Sequence, residues 1–252
     1  MSITDPRRPG LDEVRTELVD LERRLLIRGG LSLGALSLLT GCNLVEGNAV
    51  DRALMAVSRW NDRVQAWLFD PNRLAPTYKA ADITDPFPFN GFYRASRAPV
   101  VDGDAYRLEV SGLVADRAPW SIGALRALPQ ESQITRLICI EGWSAVGQWS
   151  GVRLGAFLER IGADRRARYV GFRCADGYHS SIDMATALHP QTILALDFGG
   201  GALPTQYGYP LRLRAPTKLG FKNPKHITAL FVTNDNPGGY WEDMGYNWFS
   251  GL

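Results

Sequence analysis

Apolar and polar positions alternate along several short stretches of the chain after residue 105. Tyr106, Leu108 and Val110 alternate with charged or polar residues, and this period of two predicts a half-buried β-strand. A β-branched and apolar run over 134–140 predicts another strand, which Gly142 ends. Further strands are predicted over 168–173, 192–198, 208–214 and 226–233.

Helical spacing occurs between these predicted strands. Ser121 is suited to cap a short helix that carries Leu125 and Leu128. Apolar residues three and four apart predict a helix over 154–161, and a helical turn is predicted around 184–188. Because short strands are joined by long loops, the pattern predicts an α+β fold with mixed sheets. No predicted strand is followed by a glycine-rich GxGxxG turn, so a dinucleotide-binding fold is not supported.

Residues 49–69 form the longest stretch of helical spacing, with charged residues away from the apolar ones. Two roles are open for this helix. It packs on the main domain, or it docks on a membrane partner, for which Trp60 and Trp67 are suited. Pro71 and Pro76 then end the helix. Its apolar positions are Val50, Leu54, Val57, Val64, Trp67 and Leu68.

Composition narrows the class of protein. The chain has 252 residues, of which 45% are hydrophobic, and this is enough for one core with a small appendage. The net charge is only +2, and no basic stretch is interleaved with aromatic residues, so nucleic acid is not an expected partner. Three cysteines are too few for a disulfide scaffold, and their odd number indicates separate roles.

The N-terminal segment is predicted to be an export signal. Arg23 and Arg24 precede an apolar stretch over 31–39 that is too short to span a bilayer comfortably. The arginine pair resembles a twin-arginine signal, and Leu-Thr-Gly-Cys, which ends at Cys42, resembles a bacterial lipobox. An uncleaved anchor helix is the alternative. Either one predicts a periplasmic or otherwise extracytoplasmic protein that is tied to a membrane, through a lipid on Cys42 in the first case. The predicted divisions are a signal over 1–41, a tether and amphipathic helix over 42–84, and a globular domain over 85–252.

Cys139 stands where its predicted strand ends, and strand ends are where rigid scaffolds present reactive side chains. Several roles are open for this thiol. It is a buried structural residue, a disulfide partner of Cys174, or a nucleophile that uses a histidine base such as His179. A zinc site would need Cys-x-x-Cys or His-x-x-x-His spacing, which the sequence lacks. A metal held chiefly by its own organic ligand would need only one protein thiolate.

The segment Arg136-Leu-Ile-Cys139-Ile-Glu141-Gly-Trp143-Ser144 resembles the molybdenum-binding segment of the sulfite oxidase superfamily. Its nearest branch is that of the periplasmic methionine sulfoxide reductase catalytic subunit, whose Asn-Asn-Phe-Tyr segment is similar to Asn90-Gly-Phe-Tyr93. The resemblance extends over 85–252 and implies a mixed-sheet, sulfite-oxidase-type molybdopterin-binding domain. Other segments in the family's order and spacing are Ala175–Tyr178, Leu203-Pro204, Gly208–Arg212 and Gly220–Lys225.

The resemblance implies a molybdenum–molybdopterin cofactor (Mo-MPT), to whose metal Cys139 would supply the protein thiolate. Cys174 stands where the reductase branch has threonine, and Tyr207 stands where it has asparagine. Arg212 matches the arginine for the cofactor's phosphate, and the alternative for it, taken alone, is a solvated strand residue. Glu141 relays protons beside the metal or caps a loop. The implied catalytic pair is Cys139 with Glu141, and the implied cofactor-binding residues are Asn90, Tyr93, Arg94, Cys139, Cys174, Tyr207, Arg212, Asn223, Pro224 and Lys225.

The sequence therefore predicts an exported oxidoreductase that moves an oxygen atom to or from a small substrate, such as a sulfoxide or sulfite, in a two-electron reaction. It contains no haem-attachment Cys-x-x-Cys-His segment, so electrons are expected to be exchanged with a separate protein, such as a b-type cytochrome in the membrane. The aromatic tail over 238–249 packs in the core or docks a partner. Two other classes stay open: a cysteine hydrolase that uses Cys139 and His179, and a non-catalytic lipoprotein that acts as a binding module.

Overall fold

A computed structural model describes residues 48–252, so the predicted export signal and Cys42 lie outside the described residues. The chain divides after Met55, and the unit Ala56–Leu252 holds the sheets and cavities described below. In this described part, no helix combines the length and the apolar content needed to cross a membrane. The helices are α1 (Asn48–Leu68), α2 (Ile122–Arg126), α3 (Leu154–Arg160) and α4 (Met184–Leu188), and the strands are β1 (Glu109–Gly112), β2 (Gln130–Ile138), β3 (Ser144–Arg153), β4 (Tyr169–Cys174), β5 (His179–Asp183), β6 (Ile193–Phe198), β7 (Gly201–Ala202), β8 (Arg212–Arg214) and β9 (Ile227–Thr233).

The first sheet has the strand order β1-β9-β4-β5. It is mixed, as predicted, because β1 runs parallel to β9 whereas the other neighbours are antiparallel. The apolar residues of α3 pack in the same core as this sheet, where Phe157, Leu158 and Leu230 are fully buried. Burial of these side chains supplies the main driving force for this half of the fold.

The second sheet is antiparallel, with the order β2-β3-β6-β7 and with β8 also paired to β6. A smaller core lies on it, in which Phe87 makes edge-to-face contacts with Trp149, Phe198 and Tyr207. Strands β2 and β3 form a hairpin whose last pair is Ile138 with Ser144. The hairpin turn therefore begins at Cys139.

The prediction missed three strands, β3, β5 and the two-residue β7. Gly147 and Gly151 interrupt the apolar pattern of β3, yet both are needed where they lie. A Cβ atom at Gly151 would be 2.0 Å from the carbonyl oxygen of Leu194, because β3 and β6 approach closely at a bulge. Glycine in this strand marks close approach of two backbones rather than a loop.

Two predicted strand boundaries also differ from the structure. Leu108 is buried as its alternation predicts, but it pairs only with Trp120 in an isolated bridge, so β1 begins at Glu109. The strand predicted over 208–214 is limited to β8, because Gly208 takes a left-handed conformation with φ +115°.

Helix α1 exists as predicted, but it does not pack through its apolar side chains. Val57, Trp60 and Trp67 are exposed. Its contacts with the C-terminal tail are instead polar, since Asp62 accepts a hydrogen bond from the Phe249 amide (2.7 Å) and Gln65 accepts one from the Gly251 amide (3.3 Å). The packing of this helix on the main domain therefore stays a prediction, and its described contacts are polar.

Candidate active site

The turn between β2 and β3 holds Cys139 at the mouth of a cleft. The Cys139 amide donates to the carbonyl of Trp143 (2.8 Å), and the Gly142 amide donates back to the carbonyl of Cys139 (3.2 Å). Gly142 has φ +93°, a left-handed conformation that favours glycine and lets the strand reverse. The apolar run that predicted the strand thus delivers one half-buried thiol to the turn.

The cleft has about 590 Å³ of empty space, including the part open to solvent. Four separate segments and Trp241 form its walls, so tertiary folding assembles it. The lining side chains come from residues 90–92, 139–141 and 220–225 in part, and from Asp176 with Tyr178.

Glu141 lies beside the thiol. Its Oε2 accepts a hydrogen bond from Trp143 Nε1 (2.9 Å) and lies 3.6 Å from Cys139 Sγ. Burial, joined by the charge of Glu141, raises the pKa of the Cys139 thiol, while backbone amide hydrogen bonds act in the opposite direction. A raised pKa does not favour a free nucleophile, whose activation requires a lowered pKa.

Neither of the cysteine alternatives is formed in the structure. Cys139 and Cys174 are free thiols, so they do not form a disulfide. His179, the proposed base of a hydrolase, is paired with Asp243 (3.1 Å) and does not line the cleft of Cys139. The ring of His226 is bonded to the Tyr209 carbonyl. A nucleophile–base pair would need a hydrogen bond between thiol and imidazole.

Two arginines lie fully buried behind the cleft. Within residues 48–252, no carboxylate comes within ion-pair distance of Arg212 or Arg214. Arg212 Nη1 donates to the Tyr207 carbonyl (2.8 Å), and its guanidinium lies over the Trp149 ring, 4.5 Å from the centroid. Burial lowers the pKa of each arginine to about 9. A buried cation without a counter-ion favours binding of an anion.

Lys225 extends this positive region to the wall of the cleft. Its Nζ donates to the carbonyls of Asn90 (2.6 Å) and Gln206 (3.3 Å). Burial, joined by the nearby charge of Arg212, lowers the pKa of Lys225 to about 7, while Asp176 acts in the opposite direction. An anion bound here would restore the charged form of the lysine.

Asn223 and Arg214 hold the segment that carries Lys225. The Asn223 Oδ1 accepts hydrogen bonds from Arg214 Nη1 (3.2 Å) and from the Ala215 amide (2.7 Å). Arg214 Nη2 also donates to the carbonyl of Arg136 (2.6 Å), three residues before Cys139. Arg214 therefore links the strand that ends at the thiol to the buried cations Arg212 and Lys225. Sequence reasoning missed Arg214, although its place two residues after Arg212 puts both on one face of a strand.

The opposite wall is aromatic and acidic. Tyr93 donates from its hydroxyl to Asp176 Oδ2 (2.9 Å), and burial raises the pKa of Tyr93, together with the charge of Asp176. Phe92 stacks on Tyr178 with ring centroids 5.7 Å apart and contacts Tyr240. Sequence reasoning did not identify Phe92, Asp176 or Trp241 as site residues. The segment 175–178 carried a signal, since it is one of the family-like motifs.

The structure separates the predicted site residues into three groups. Six of them line the cleft together. Tyr93, Cys174 and Arg212 lie behind it, and burial raises the pKa of the Cys174 thiol. Tyr207 lies in the smaller core and donates to the Phe87 carbonyl, whereas Arg94 is exposed before a 3₁₀ turn over 95–97. The six that line the cleft are Asn90, Cys139, Glu141, Asn223, Pro224 and Lys225.

A protein-family model described as an oxidoreductase molybdopterin binding domain matches residues 95–241. The "Putative protein-methionine-sulfoxide reductase subunit YedZ1" of Azospira oryzae is 59% identical over 229 residues, which are 91% of this chain and 87% of that protein. The protein-methionine-sulfoxide reductase catalytic subunit of Xanthomonas campestris is 28% identical, over 100% of this chain and 83% of that protein.

One solved structure supports the same fold. The sulfane dehydrogenase SoxCD from Paracoccus pantotrophus superposes with a TM-score of 0.52 and 21% sequence identity, over 55% of this chain and 40% of that chain. At this identity the likeness concerns the fold alone. The α+β architecture with mixed sheets, predicted from sequence, is confirmed by it.

Proposed function

Because this chain belongs to the sulfite oxidase superfamily of molybdopterin-dependent oxidoreductases, we propose that it reduces sulfoxides, and methionine sulfoxide in particular, by two-electron oxygen-atom transfer. The named activity of its methionine-sulfoxide reductase relatives supports this substrate class. The observation that carries the proposal is the free thiol of Cys139, which shares one cleft with Lys225 and lies in front of buried, carboxylate-free arginines.

The residues present fit the Mo-MPT cofactor. Its phosphate requires a positive, desolvated cradle, and Arg212 with Lys225 supplies one. In addition, the Nε atom of Arg214 is buried without a hydrogen-bond partner among the described residues. A buried donor left unpaired is costly, so a bound anion or its hydration would stabilise this region. Cys139 would hold the metal, and Asn223 would position the segment around the phosphate.

When bound, the cofactor supplies the two-electron redox couple. The reduction of a sulfoxide to a thioether consumes two electrons and two protons and releases water. The protein's own part is to bind, orient and protonate the substrate. Phe92 and Tyr178 form an apolar wall suited to the alkyl groups of a sulfoxide. Glu141 is the acid at the rim that is placed to carry protons to the oxygen that leaves.

The charges of the cleft favour a neutral substrate. Glu141, Asp176 and Lys225 line it; once the cofactor's phosphate takes up the charge of Lys225, the two carboxylates would repel an oxyanion such as sulfite. The cations Arg212 and Arg214 are fully buried behind the wall, where the cofactor's phosphate would take up their charge. A sulfoxide, which carries a dipole but no net charge, meets no such repulsion.

Export and electron supply complete the proposal. The sequence of residues 1–42 supports export by a twin-arginine signal, followed by anchoring through a lipid on Cys42. Electrons would then come from a separate membrane protein, such as a b-type cytochrome. The Azospira oryzae relative is named a reductase subunit, which agrees with an enzyme of more than one component.

Metal analysis of natively exported protein, together with a dye-linked assay, tests the chemistry. We expect about one molybdenum per chain, since one thiolate completes the sulfur ligands, and reduction of methionine sulfoxide without oxidation of sulfite. Cys139→Ser should abolish catalysis, whereas Cys174→Thr, which keeps a hydrogen-bonding group at the other free thiol, should remain active. An active enzyme without metal, or an active Cys139→Ser variant, would contradict the proposal.

A further inference from the structure

Helix α1 presents three different faces along its length. Ser58, Asp62 and Gln65 are half-buried and follow the spacing of four and three residues that keeps them on one side. This side faces the C-terminal tail, since Asp62 and Gln65 accept hydrogen bonds from its backbone. The helix is therefore fixed to the protein by polar contacts, and these leave its other faces free.

The apolar side chains form a stripe on another face. Val57, Trp60, Val64 and Trp67 recur at intervals of three and four residues, as one helix face requires. Val57 is 62% exposed, Trp60 is 61% exposed and Trp67 is 81% exposed, whereas Val64 is half-buried. Two exposed tryptophans on one helix face are unusual for a surface that meets only water.

A basic row borders this stripe. Arg59 and Arg63 are exposed and lie one turn apart, and Arg63 Nε donates to the Arg59 carbonyl (3.3 Å). An apolar face with tryptophan, bordered by arginine, is the pattern of helices that lie in the plane of a membrane surface. The basic row complements anionic lipid headgroups.

The sequence ahead of the helix places a membrane within reach. Cys42, the proposed site of lipid attachment, lies six residues before Asn48. An extended chain of that length spans at most about 21 Å. A lipid on Cys42 would thus hold the start of α1 close to the bilayer surface. The lipids of that surface would then cover the exposed apolar stripe.

We propose that α1 is an interfacial helix, which lies flat on the bilayer with Val57, Trp60, Val64 and Trp67 inserted at the level of the headgroups and upper acyl chains. The occupant of the stripe is a lipid surface that contains anionic lipids. This inference rests on the proposed anchoring at Cys42 and not on the proposed chemistry. Since Asp62 is bonded to the tail that also carries Trp241, the helix would set the orientation of the catalytic cleft toward the membrane.

Fluorescence quenching in vesicles tests the insertion directly. The full exported chain is reconstituted in phosphatidylglycerol vesicles, with and without lipid that is brominated along its acyl chains. Trp60 and Trp67 are two of seven tryptophans, so brominated lipid should remove no more than about two sevenths of the emission if all seven emit equally. The Trp60→Phe/Trp67→Phe variant should lose this quenching and keep its molybdenum content and dye-linked activity.

Charge and position are tested with matched variants. Arg59→Gln/Arg63→Gln should reduce quenching at low salt, and phosphatidylcholine vesicles should give less quenching than phosphatidylglycerol vesicles. Val100→Ser is the control, because Val100 is 91% exposed but lies off the helix; it should change nothing. Binding of the Cys42→Ser protein to the same vesicles should become weaker and salt-sensitive, and its quenching should remain dependent on Trp60 and Trp67.

Three results would overturn the proposal. The first is equal quenching in the wild-type chain and in Trp60→Phe/Trp67→Phe. The second is no quenching in vesicles, with protection of both tryptophans only when a membrane partner protein is added. The third is a dimer in vesicle-free solution that Trp60→Phe/Trp67→Phe dissociates, again without lipid quenching. None of these outcomes concerns metal content or turnover, so failure here is distinct from failure of the proposed function.

Discussion

The Asn223 Oδ1 atom accepts a hydrogen bond from the buried Arg214 guanidinium at 3.2 Å. The same oxygen accepts the Ala215 amide at 2.7 Å, and the Asn223 Nδ2 group donates to the Leu219 carbonyl at 2.9 Å. One side chain therefore satisfies three groups in a buried loop that borders the cleft. This loop holds Lys225 in place, so its geometry is expected to control how firmly an anion is bound.

Asn223→Ala should destabilise the protein and weaken cofactor retention. The change leaves an arginine donor, an amide and a carbonyl without partners, which is expected to cost about 2–5 kcal/mol in the free energy of unfolding. Urea denaturation and molybdenum content measure the two effects. Asn72→Ala, at an exposed asparagine, should change the free energy of unfolding by less than about 0.5 kcal/mol. Equal stability of the two variants would contradict this role.

The stability of the cofactor-free protein should rise with pH above about 7. In the folded state burial lowers the pKa of Lys225 to about 7, against an ordinary value of 10.5. Between these values the unfolded chain binds the additional proton, so raising the pH stabilises the folded state. Cys174, Asp176 and Arg212 are the charged or titratable groups that influence this lysine.

Urea denaturation at pH 6, 7, 8 and 9 measures this slope. Lys225→Met should reduce it and leave the contribution of Lys218, whose pKa burial lowers to about 8. Loading with cofactor should also reduce the slope, because a phosphate beside Lys225 would restore its charge. A cofactor-free protein whose stability falls steadily from pH 7 to pH 9 would show that the lysine is not the controlling group.

Glu141→Gln separates two roles of this carboxylate. In the unmutated protein, Trp143 Nε1 donates a hydrogen bond to Glu141 Oε2 at 2.9 Å. A glutamine keeps an oxygen that can accept this hydrogen bond, but it cannot carry a proton in the reaction. If Glu141 protonates the substrate, kcat should fall about 10²–10⁴-fold with little change in KM, and the acidic limb of the pH profile should change. Trp143→Phe, which removes the bond and keeps the carboxylate, should retain most of kcat. If Trp143→Phe lowered kcat more than Glu141→Gln does, Glu141 would have only the structural role of capping the loop.

The buried pair Lys222–Glu242 should contribute more to stability than a surface pair. Both side chains are buried, and Glu242 adjoins Trp241 at the wall of the cleft. Glu242→Gln leaves the lysine without its counter-ion and should cost about 3–5 kcal/mol. Asp197→Asn removes one partner of the more exposed pair with Arg126, at 2.8 Å, and should cost no more than about 1 kcal/mol. Thermal melting of both variants distinguishes the two cases.

Gly151→Ala should disrupt the second sheet. The added Cβ would lie 2.0 Å from the Leu194 carbonyl oxygen. Because the contacted atom belongs to the backbone of β6, the clash cannot be relieved by moving a side chain. We expect a loss of about 3 kcal/mol or more. Gly201→Ala is the matched control, since no atom lies within 4 Å of a Cβ there and its effect should be small. A well-folded Gly151→Ala protein with unchanged melting temperature would refute the close approach of β3 and β6.

The sequence by itself determined the local features of this protein. Alternation around Leu108 predicted a half-buried strand, because side-chain burial has a period of two in a strand, and the apolar run before Cys139 predicted another strand. The family-like motifs predicted the fold, the cofactor and the thiol at the turn. In each case a few residues close together in the sequence carry the pattern, so the feature can be predicted without knowledge of tertiary contacts.

The tertiary structure decided which residues meet and which faces stay exposed. Arg214 and Asp176 joined the site because β8 and the turn after β4 fold toward the same cleft, and no local pattern encodes that meeting. Likewise the apolar spacing of α1 predicted its helix, but not the face that it presents. Periodicity fixes which side chains share a face, whereas the partner of that face depends on contacts far along the chain, such as that of Asp62 with Phe249.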